Sequence, residues 1–567
     1  MKMNAEKHKT LKVLFGAMEA RRRPMWPIWR ELAAVYLPYT HPWLLNKEKS
    51  EKLELNPYYI TSEGLIALRT QSAGLMNGIT SPTRPWFKIG IGVDTSRLSI
   101  ASRKWLHTVS DVMRTVMARS NYYNTKAMAY HDLGLMNISG SQIFEDTSDV
   151  IRVQRFNTGE FYVDYDFRGR LTRYGRCMSM TLEQIKTEFG EANMPIDWRE
   201  QYKNPTSRNS KRRVYHLVEL NSGEPFGYGP VDRFAWRECY WAESAEDGNV
   251  LKIAGYREQP ATFPRWSAEL EYGNSPAMDA LADMRELQQL LLKKGVGLEK
   301  MVDPPMLYDQ SLANQPKSTM PGGYAYVPNL ANMVGAKPAY LVNIPFQELR
   351  LDIQDIKGSI REIFHNDLFK MISQLDTVRS ATEIDARREE KLVLLAHFLE
   401  RFENESLDPD IQRIYAICQR ADLFPDPPRE IRNADIDITY TSILASAQRA
   451  INTVPTERLL AMVGQVAAVE PGVLDLIDFD ELVWTYGTDL GANPIILRDQ
   501  EALKTRRAAR EQQLQALEAT ATAQTAIEAG KTLSETDVGG GANALQRLLS
   551  YRYGRLTTPS LWSKVTR

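Results

Sequence analysis

Between Pro345 and Leu423 apolar residues return at steps of three and four. Leu349, Leu351, Ile353, Ile356, Ile360, Ile363 and Phe364 trace one helical stripe. Ile384, Leu392, Leu395, Phe398, Leu399 and Phe402 trace a second, and the polar KMISQLDTVRS separates the two. Thr382, Ser380 and Thr377 are all candidate caps for the second helix. Pro409, beside Asp408, suits the first position of a third. On periodicity alone, this stretch reads as the core of an ordinary helical domain.

The same pattern organises the rest. Residues 1–38 read as helical, with Pro24 and Pro27 near a helix start. Thr61–Ile89 reads as helix, turn and strand: Leu65, Leu68, Ser72 and Leu75 share a face, and Gly74 and Gly78 permit close approach. Residues 101–139 predict an amphipathic helix pair. From Ile143 to Met180 the period shortens to two, with a polar Arg168-Gly169-Arg170 turn between alternating runs. A short helix ending at Gly190 follows, then strands at Arg213–Glu219, Phe234–Ala242 and Val250–Tyr256. A long helix is expected from Ala277. Met301–Pro345, rich in proline and glycine, reads as a loop or small sheet. IDITY predicts a strand before an Ala- and Leu-rich helix, and further helices are expected at Arg458–Glu470 and Asp478–Asp489. Residues 501–530 read as a solvated helix, and Leu533–Ala542 as a flexible link.

With 567 residues the chain has room for several cores. Its net charge of -1 and 25% charged residues are ordinary for a globular protein. No strong basic excess argues for tight wrapping of DNA, so any contact is expected to be loose and local. The Arg21-Arg22-Arg23 cluster reads as a solvated surface, with nucleic-acid contact as the alternative. Gly541–Arg567 carries Arg547, Arg552, Arg555, Lys564 and Arg567 and no acid; it reads as a disordered end or a docking peptide. Cys177, Cys239 and Cys418 fit neither a disulfide framework nor a zinc site, and free thiols suit a reducing cytoplasm. The N-terminus lacks the apolar core of a signal peptide, and no apolar run is long enough to span a bilayer.

Enzyme chemistry finds little support. The histidines at 8, 41, 107, 131, 216, 365 and 397 are scattered. No HExxH, paired-cysteine or GKS/GKT phosphate loop occurs, which excludes a packaging ATPase. Gly322-Gly323 lacks the lysine of such a loop. His131-Asp132 could serve acid–base chemistry, and Asp352, Asp355, Asp376 and Asp385 could face one another around a metal, but helical acids are ordinarily solvated. No catalytic, cofactor or metal residues are assigned.

Ordered motifs carry a family resemblance. SAGLMNGITSPTRPWFKI supplies Gly74, Leu75, Gly78, Ser81, Pro82, Pro85, Trp86 and Phe87. Asn157–Tyr162 supplies an Asn-x-Gly-Glu-Phe/Tyr pattern, and Arg265, Trp266, Tyr272, Gly273 and Pro276 another. ATEID at Ala381–Asp385, Phe398–Ile417, and Ser442, Leu444, Ala445, Ala447 and Gln448 complete the set. Together they resemble the head-to-tail connector, or portal, proteins of short-tailed, T7-like bacteriophages, over roughly residues 10–500.

That resemblance implies an α+β portal fold with long stem helices, a mixed α/β wing, a small clip and a helical crown region. The divisions it suggests are 1–263 for N-terminal helices and wing, 264–300 and 346–365 for the stem helices, and 301–345 for the clip. A channel loop at 366–381, a long helix with remaining wing and crown at 382–500, and a tail at 501–567 follow. It implies a non-enzymatic ring, usually of twelve subunits, at one capsid vertex, assembled in the host cytoplasm. DNA would pass through without sequence-specific contact, with Lys370, Gln374, Asp376 and Arg379 as channel-loop candidates. Implied partners are the major capsid and scaffolding proteins, terminase and a tail adaptor; no cofactor and no membrane insertion are implied. The competing class is a non-conducting scaffold or adaptor. The helical hairpin with a proline-rich tip favours the ring.

Overall fold

The computed structural model describes residues 2–40, 54–92, 98–309 except 227 and 270, 324–327, 337–340, 344–373, 395–432, 436–441, 459–466 and 500–535, with isolated positions beyond. Residues 1–93 and 101–492 form one compact unit, and 94–100 with 493–567 a second.

The first unit opens with α1 (Ala5–Arg22), capped by the Asn4 side chain on the Glu6 amide, and α2 (Met25–Tyr36), which starts after Pro24. A short pair, β1 (Tyr39–Thr40) and β2 (Glu54–Leu55), precedes α3 (Glu63–Ile79) and β3 (Phe87–Ile91). The expected helix pair is α4 (Ile100–Arg119) and α5 (Tyr122–Met136). Then come β4 (Gly140–Asp146), β5 (Val150–Phe156), β6 (Phe161–Tyr165) and β7 (Leu171–Thr181). The turn between β6 and β7 is the one expected. Asp166 Oδ1 accepts from the amides of Arg168 and Arg170, and Gly169 takes φ +77°, which suits a residue without a Cβ.

Helix α6 (Leu182–Phe189) begins with a reciprocal Thr181/Gln184 capping box and stops at Gly190, where φ is +80°. After α7 (Ile196–Lys203) come β8 (Lys211–Leu220), β9 (Trp236–Ala242), β10 (Lys252–Tyr256) and β11 (Ala261–Thr262). Strands β10-β9-β8-β7-β6 form an antiparallel sheet, and β11-β4-β5 a second. Every residue of β9 is buried, as a strand covered on both faces requires. One cover is α1, whose Phe15 packs edge-on against Tyr162, Tyr215 and Trp241. Another is α6 with α7, through Ile185 and Trp198 against Val214 and Tyr240.

The large core lies where α2, α3 and α5 meet these sheets and the later helices. It holds Trp29, Tyr36, Leu68, Phe156, Tyr272, Met284 and Phe364. α8 (Pro276–Asp279) leads directly into α9 (Leu281–Val302); Pro276 occupies the first turn and Ser275 caps it. The proline-rich segment contains a small sheet of β12 (Met306–Asp309), parallel to β13 (Tyr324–Val327) and antiparallel to β14 (Lys337–Pro338). α10 (Phe346–Ile363) returns along α9. Ser359 donates to Asp283 near the start of α9, while Ile344 reaches Gly297 near its end, so the two form an antiparallel hairpin.

Segment 366–381, expected as a loop, opens as α11 (Asn366–Ser373). The helix break comes earlier, at His365, whose φ of +52° turns the chain. Leu368 and Phe369 are buried, and this apolar anchor is why the polar-looking run folds as helix. A helix over 395–402 passes through a π-helical turn, Glu403–Leu407, into α12 (Asp408–Arg420). Pro409 sits in the first turn of α12 as expected, yet it does not interrupt the helical path. Strand β15 (Ile436–Tyr440) pairs antiparallel with β3. The candidate caps Thr377, Ser380 and Thr382, the motif Ser442–Gln448 and the tail Gly541–Arg567, apart from the exposed Leu548 and Leu549, lie outside the described residues. In the second unit the helix Gln500–Glu535 is solvent-exposed, as expected, but it includes Leu533–Glu535, which the sequence assigns to the link.

Trp86 is 1% exposed, stacks edge-on against Phe87 and donates its indole N–H to the Tyr123 hydroxyl at 3.1 Å. Trp86→Ala is expected to cost about 3–5 kcal/mol of stability in urea titration, because the cavity left between β3 and α5 cannot close.

Candidate assembly surface and its supporting charge network

Helix α3 supports the site through its glycines. A Cβ at Gly74 would overlap the Phe369 ring of α11, and one at Gly64 would lie 2.7 Å from the Tyr36 ring and 2.8 Å from Met284 of α9. Gly78 is buried on the same helix. Glu63, in the first turn of α3, receives Arg361 Nε at 2.7 Å and Lys357 Nζ at 3.1 Å from α10. Both helices of the hairpin and the helix after them are therefore fixed against one element.

The second motif locks the base of the hairpin. Gly273 has φ +74°, and a Cβ there would collide with the Ser267 carbonyl; only glycine fits. Its own carbonyl accepts from Asn137 Nδ2 at 2.9 Å, where α5 ends. Tyr272 is buried with its ring 5.7 Å from that of Trp29, and Pro276 is buried. Pro82 and Pro85 are exposed in the turn before Trp86 and Phe87, and the Pro85 carbonyl accepts from the Thr441 hydroxyl.

A buried charge network escapes sequence reading. Lys126 of α5 and Asp410 of α12, each with a side chain 2% exposed, form an ion pair. Ser406 of the π-helical turn accepts from Lys126 Nζ at 2.7 Å, and Tyr122 and Thr262 donate to Asp410 at 3.4 Å. Burial pushes the Asp410 carboxyl up, while Lys126 and the hydrogen bonds oppose that shift. One position earlier, Glu405 receives the Arg265 amide at 2.9 Å and its guanidinium. The wider π turn sets Glu405 and Ser406 against two different cations. A signal for Lys126 did exist: it shares the buried stripe of Tyr122, Ala129, Tyr130 and Leu133.

Lys370 is exposed on α11, while Gln374, Asp376 and Arg379 lie outside the described residues. The arginine cluster is solvated only in part: Arg21 and Arg23 are exposed, while Arg22 is buried over the Tyr162 ring and donates to the Gly159 and Phe161 carbonyls. Arg21 pairs with Asp164 and Glu271. Asp132 is held by a two-point bond from Arg155 and serves the fold. Among the described residues no group of three metal-ligating side chains converges, and no helix is long and apolar enough to cross a membrane.

The outstanding surface is the hairpin itself. Only Met284, Leu287 and Gln288 of α9, and Ile353 and Ile360 of α10, are buried. Leu292, Val296, Leu298, Met301 and Val302 of α9 and Leu351 of α10 are exposed. Isolated exposed leucines are ordinary, but five exposed apolar residues in the last three turns of one helix mark an interaction surface.

A braced helical hairpin, with large antiparallel sheets packed near its base and a small three-stranded sheet between its two helices, defines a structural assembly protein. Residues 8–497 match the family described as bacteriophage head to tail connecting protein. The chain is 32% identical over 509 residues to the probable portal protein of Bordetella phage BPP-1, covering 88% of this chain and 90% of that one. It is 33% identical over 486 residues to the portal protein of Salmonella phage epsilon15, covering 85% and 87%. The chain belongs to the bacteriophage head-to-tail connecting proteins. It is a portal component of the virion at the head–tail connection, with an α+β portal fold, and it is not an enzyme.

Lys126→Met leaves Asp410 bare in the core and is expected to cost about 3–5 kcal/mol. Combining it with Asp410→Leu should recover much of that loss, since both charges then leave the interior. Chemical denaturation of the single and double variants measures this directly.

Proposed function

We propose that copies of this chain close into a ring, of twelve subunits, at one capsid vertex, through which double-stranded DNA passes during packaging and ejection. Terminase and tail proteins dock on this ring, and the major capsid and scaffolding proteins surround it. Its assembly takes place in the host cytoplasm. The observation that carries the ring is the exposed apolar flank of the α9–α10 hairpin. Charge supports a second copy as its occupant. The end of α9 carries Lys293, Lys294 and Lys300 against one acid, Glu299; the start of α10 carries Glu348, Asp352 and Asp355 against one cation, Arg350. Opposite signs on two flanks of one hairpin suit head-to-tail packing, in which a rotation that closes generates a ring.

The channel contact belongs to the segment that follows α11. Lys370 and Arg379, with Gln374 and Asp376 between them, would present spaced charges rather than a continuous basic sheath. Sliding needs a low barrier, and each neutralised phosphate adds affinity that resists motion. Weak, sequence-independent contact follows.

Leu292→Glu with Val296→Glu is expected to give folded chains, with unchanged circular dichroism and melting, that sediment as monomers. Wild type should sediment as a closed ring whose rotational symmetry is visible in stained top views. Rings of the double variant at wild-type yield would refute the interface. Deleting Gln374–Val378 should leave rings intact while reducing packaged DNA or its retention; intact rings with normal packaging and retention would rule out the channel role.

A further inference from the structure

The sheeted part of the main unit carries a solvent-open cavity of about 620 Å3 between β5, β7 and α6. Among its lining residues Arg176 alone is buried, at 4% exposure. It sits mid-strand in β7, opposite Phe161 of β6 and His216 of β8. Its guanidinium stacks 3.8 Å over the Phe156 ring. Among the described residues it makes no hydrogen bond or ion pair, and its Nε is buried without a partner.

Other buried arginines of this fold are treated differently. Arg22 donates to two backbone carbonyls, Arg237 to Glu219 and the Glu224 carbonyl, and Arg413 to Glu258 and the Ile143 carbonyl. The ring beneath Arg176 satisfies the face of its guanidinium but none of the in-plane N–H donors. Glu160, the acid nearest in effect, is bonded to Asn157 instead. Burial pulls the Arg176 pKa down, yet a guanidinium stays charged at neutral pH. The terminal guanidinium nitrogens have no protein partner among the described residues and, unlike Nε, are not sealed off from solvent, and the cavity they line is where a counter-charge has room.

We infer that this cavity is a binding site for a small carboxylate, held in the plane of the Arg176 guanidinium. Gln154 and Ser179 line the same space and add polar atoms, while Asn157 and Glu160, which also line it, are bonded to each other. Arg155 lines it too, but its guanidinium is committed to Asp132. The outer lining includes exposed Glu183 and Glu188 on α6. These acids disfavour multiply charged ligands, so a nucleic-acid backbone or a polyphosphate is excluded where a single carboxylate is admitted. Guanidinium–carboxylate pairing is also the stronger for being planar and two-pointed.

The test is thermal unfolding of the full chain against sodium acetate, with sodium chloride holding ionic strength constant. Wild type should show a saturable rise in melting temperature, as a ligand bound only to the folded state requires. Arg176→Met should melt no lower than wild type without acetate and show no acetate-dependent rise. Glu188→Gln, on the exposed face of α6, should lower the half-saturating acetate concentration about two- to fivefold. Should Arg176→Met fail to fold, Arg176→Lys keeps the charge but loses the planar fork, and should raise that concentration about tenfold. No rise in wild type, an equal rise in the Arg176 variant, or an unchanged Glu188→Gln value would each overturn the site.

Discussion

How closely other backbones approach α3 decides the packing of the main unit. Gly64 lets Tyr36 of α2 and Met284 of α9 reach its backbone, and Gly74 admits Phe369 of α11. From the other side, Gly134 of α5 meets Leu68 and Gln71 of α3, where a Cβ would lie 2.6 Å from Leu68 Cδ1. A methyl group at any of these places forces its neighbours off their rotamers, at about 1–3 kcal/mol each. The segments held this way come from both ends of the described unit. The N-terminal helices and the hairpin therefore share one core, although the sheets lie between them in sequence.

Buried charge then fixes register where shape alone would not. Apolar helices slide past one another at modest cost, but a slide that strands Glu63, Lys126 or Arg265 leaves a charge in the interior. Glu63 is clamped by Lys357 and Arg361, Lys126 by Asp410, and Arg265 by Glu405. Such pairs add little net stability over well-packed apolar residues. Their effect is asymmetric: correct pairing is roughly neutral, and mispairing is severe. The π-helical turn belongs to the same logic. A regular helix would not place Glu405 and Ser406 on the arginine and the lysine together.

Sequence legibility followed the range of the interaction. The short helix ended by Gly190, the Arg168-Gly169-Arg170 turn and the run from helix through Ser-Pro to Trp86 are set by residues a few positions apart, and each was readable. The five-stranded sheet was partly readable: its strands stood out, its order did not, because β9 is buried on both faces and lacks alternation. The identity of Gly74's neighbour was hidden, since nothing local in α3 names Phe369. Arg22 misled for a physical reason: three arginines in a row resemble a solvated patch, yet helical geometry turns the middle one inward over Tyr162. The start of the expected channel segment was misread because DLFKM places two large apolar residues on one face, and burial outweighs the polar character of their neighbours.

The hairpin is where these constraints stop within one chain. Near Met284, Leu287 and Ile360 it is held from several sides; beyond Gln288 no residue of α9 is buried. An apolar helix end in water is a continuing free-energy penalty of about 25 cal/mol for each Å2 left uncovered. The chain does not relieve it by folding back, because Gly273, Glu63 and the α3 glycines fix the hairpin's base and direction. Nor does the small sheet of β12, β13 and β14 bury Met301 or Val302. A rigid base therefore delivers an unfinished surface to a defined place, and that surface is finished by something of matching shape and opposite charge order. The hairpin carries a cationic end on α9 and an acidic start on α10, the charge order on which the proposed head-to-tail packing of copies rests.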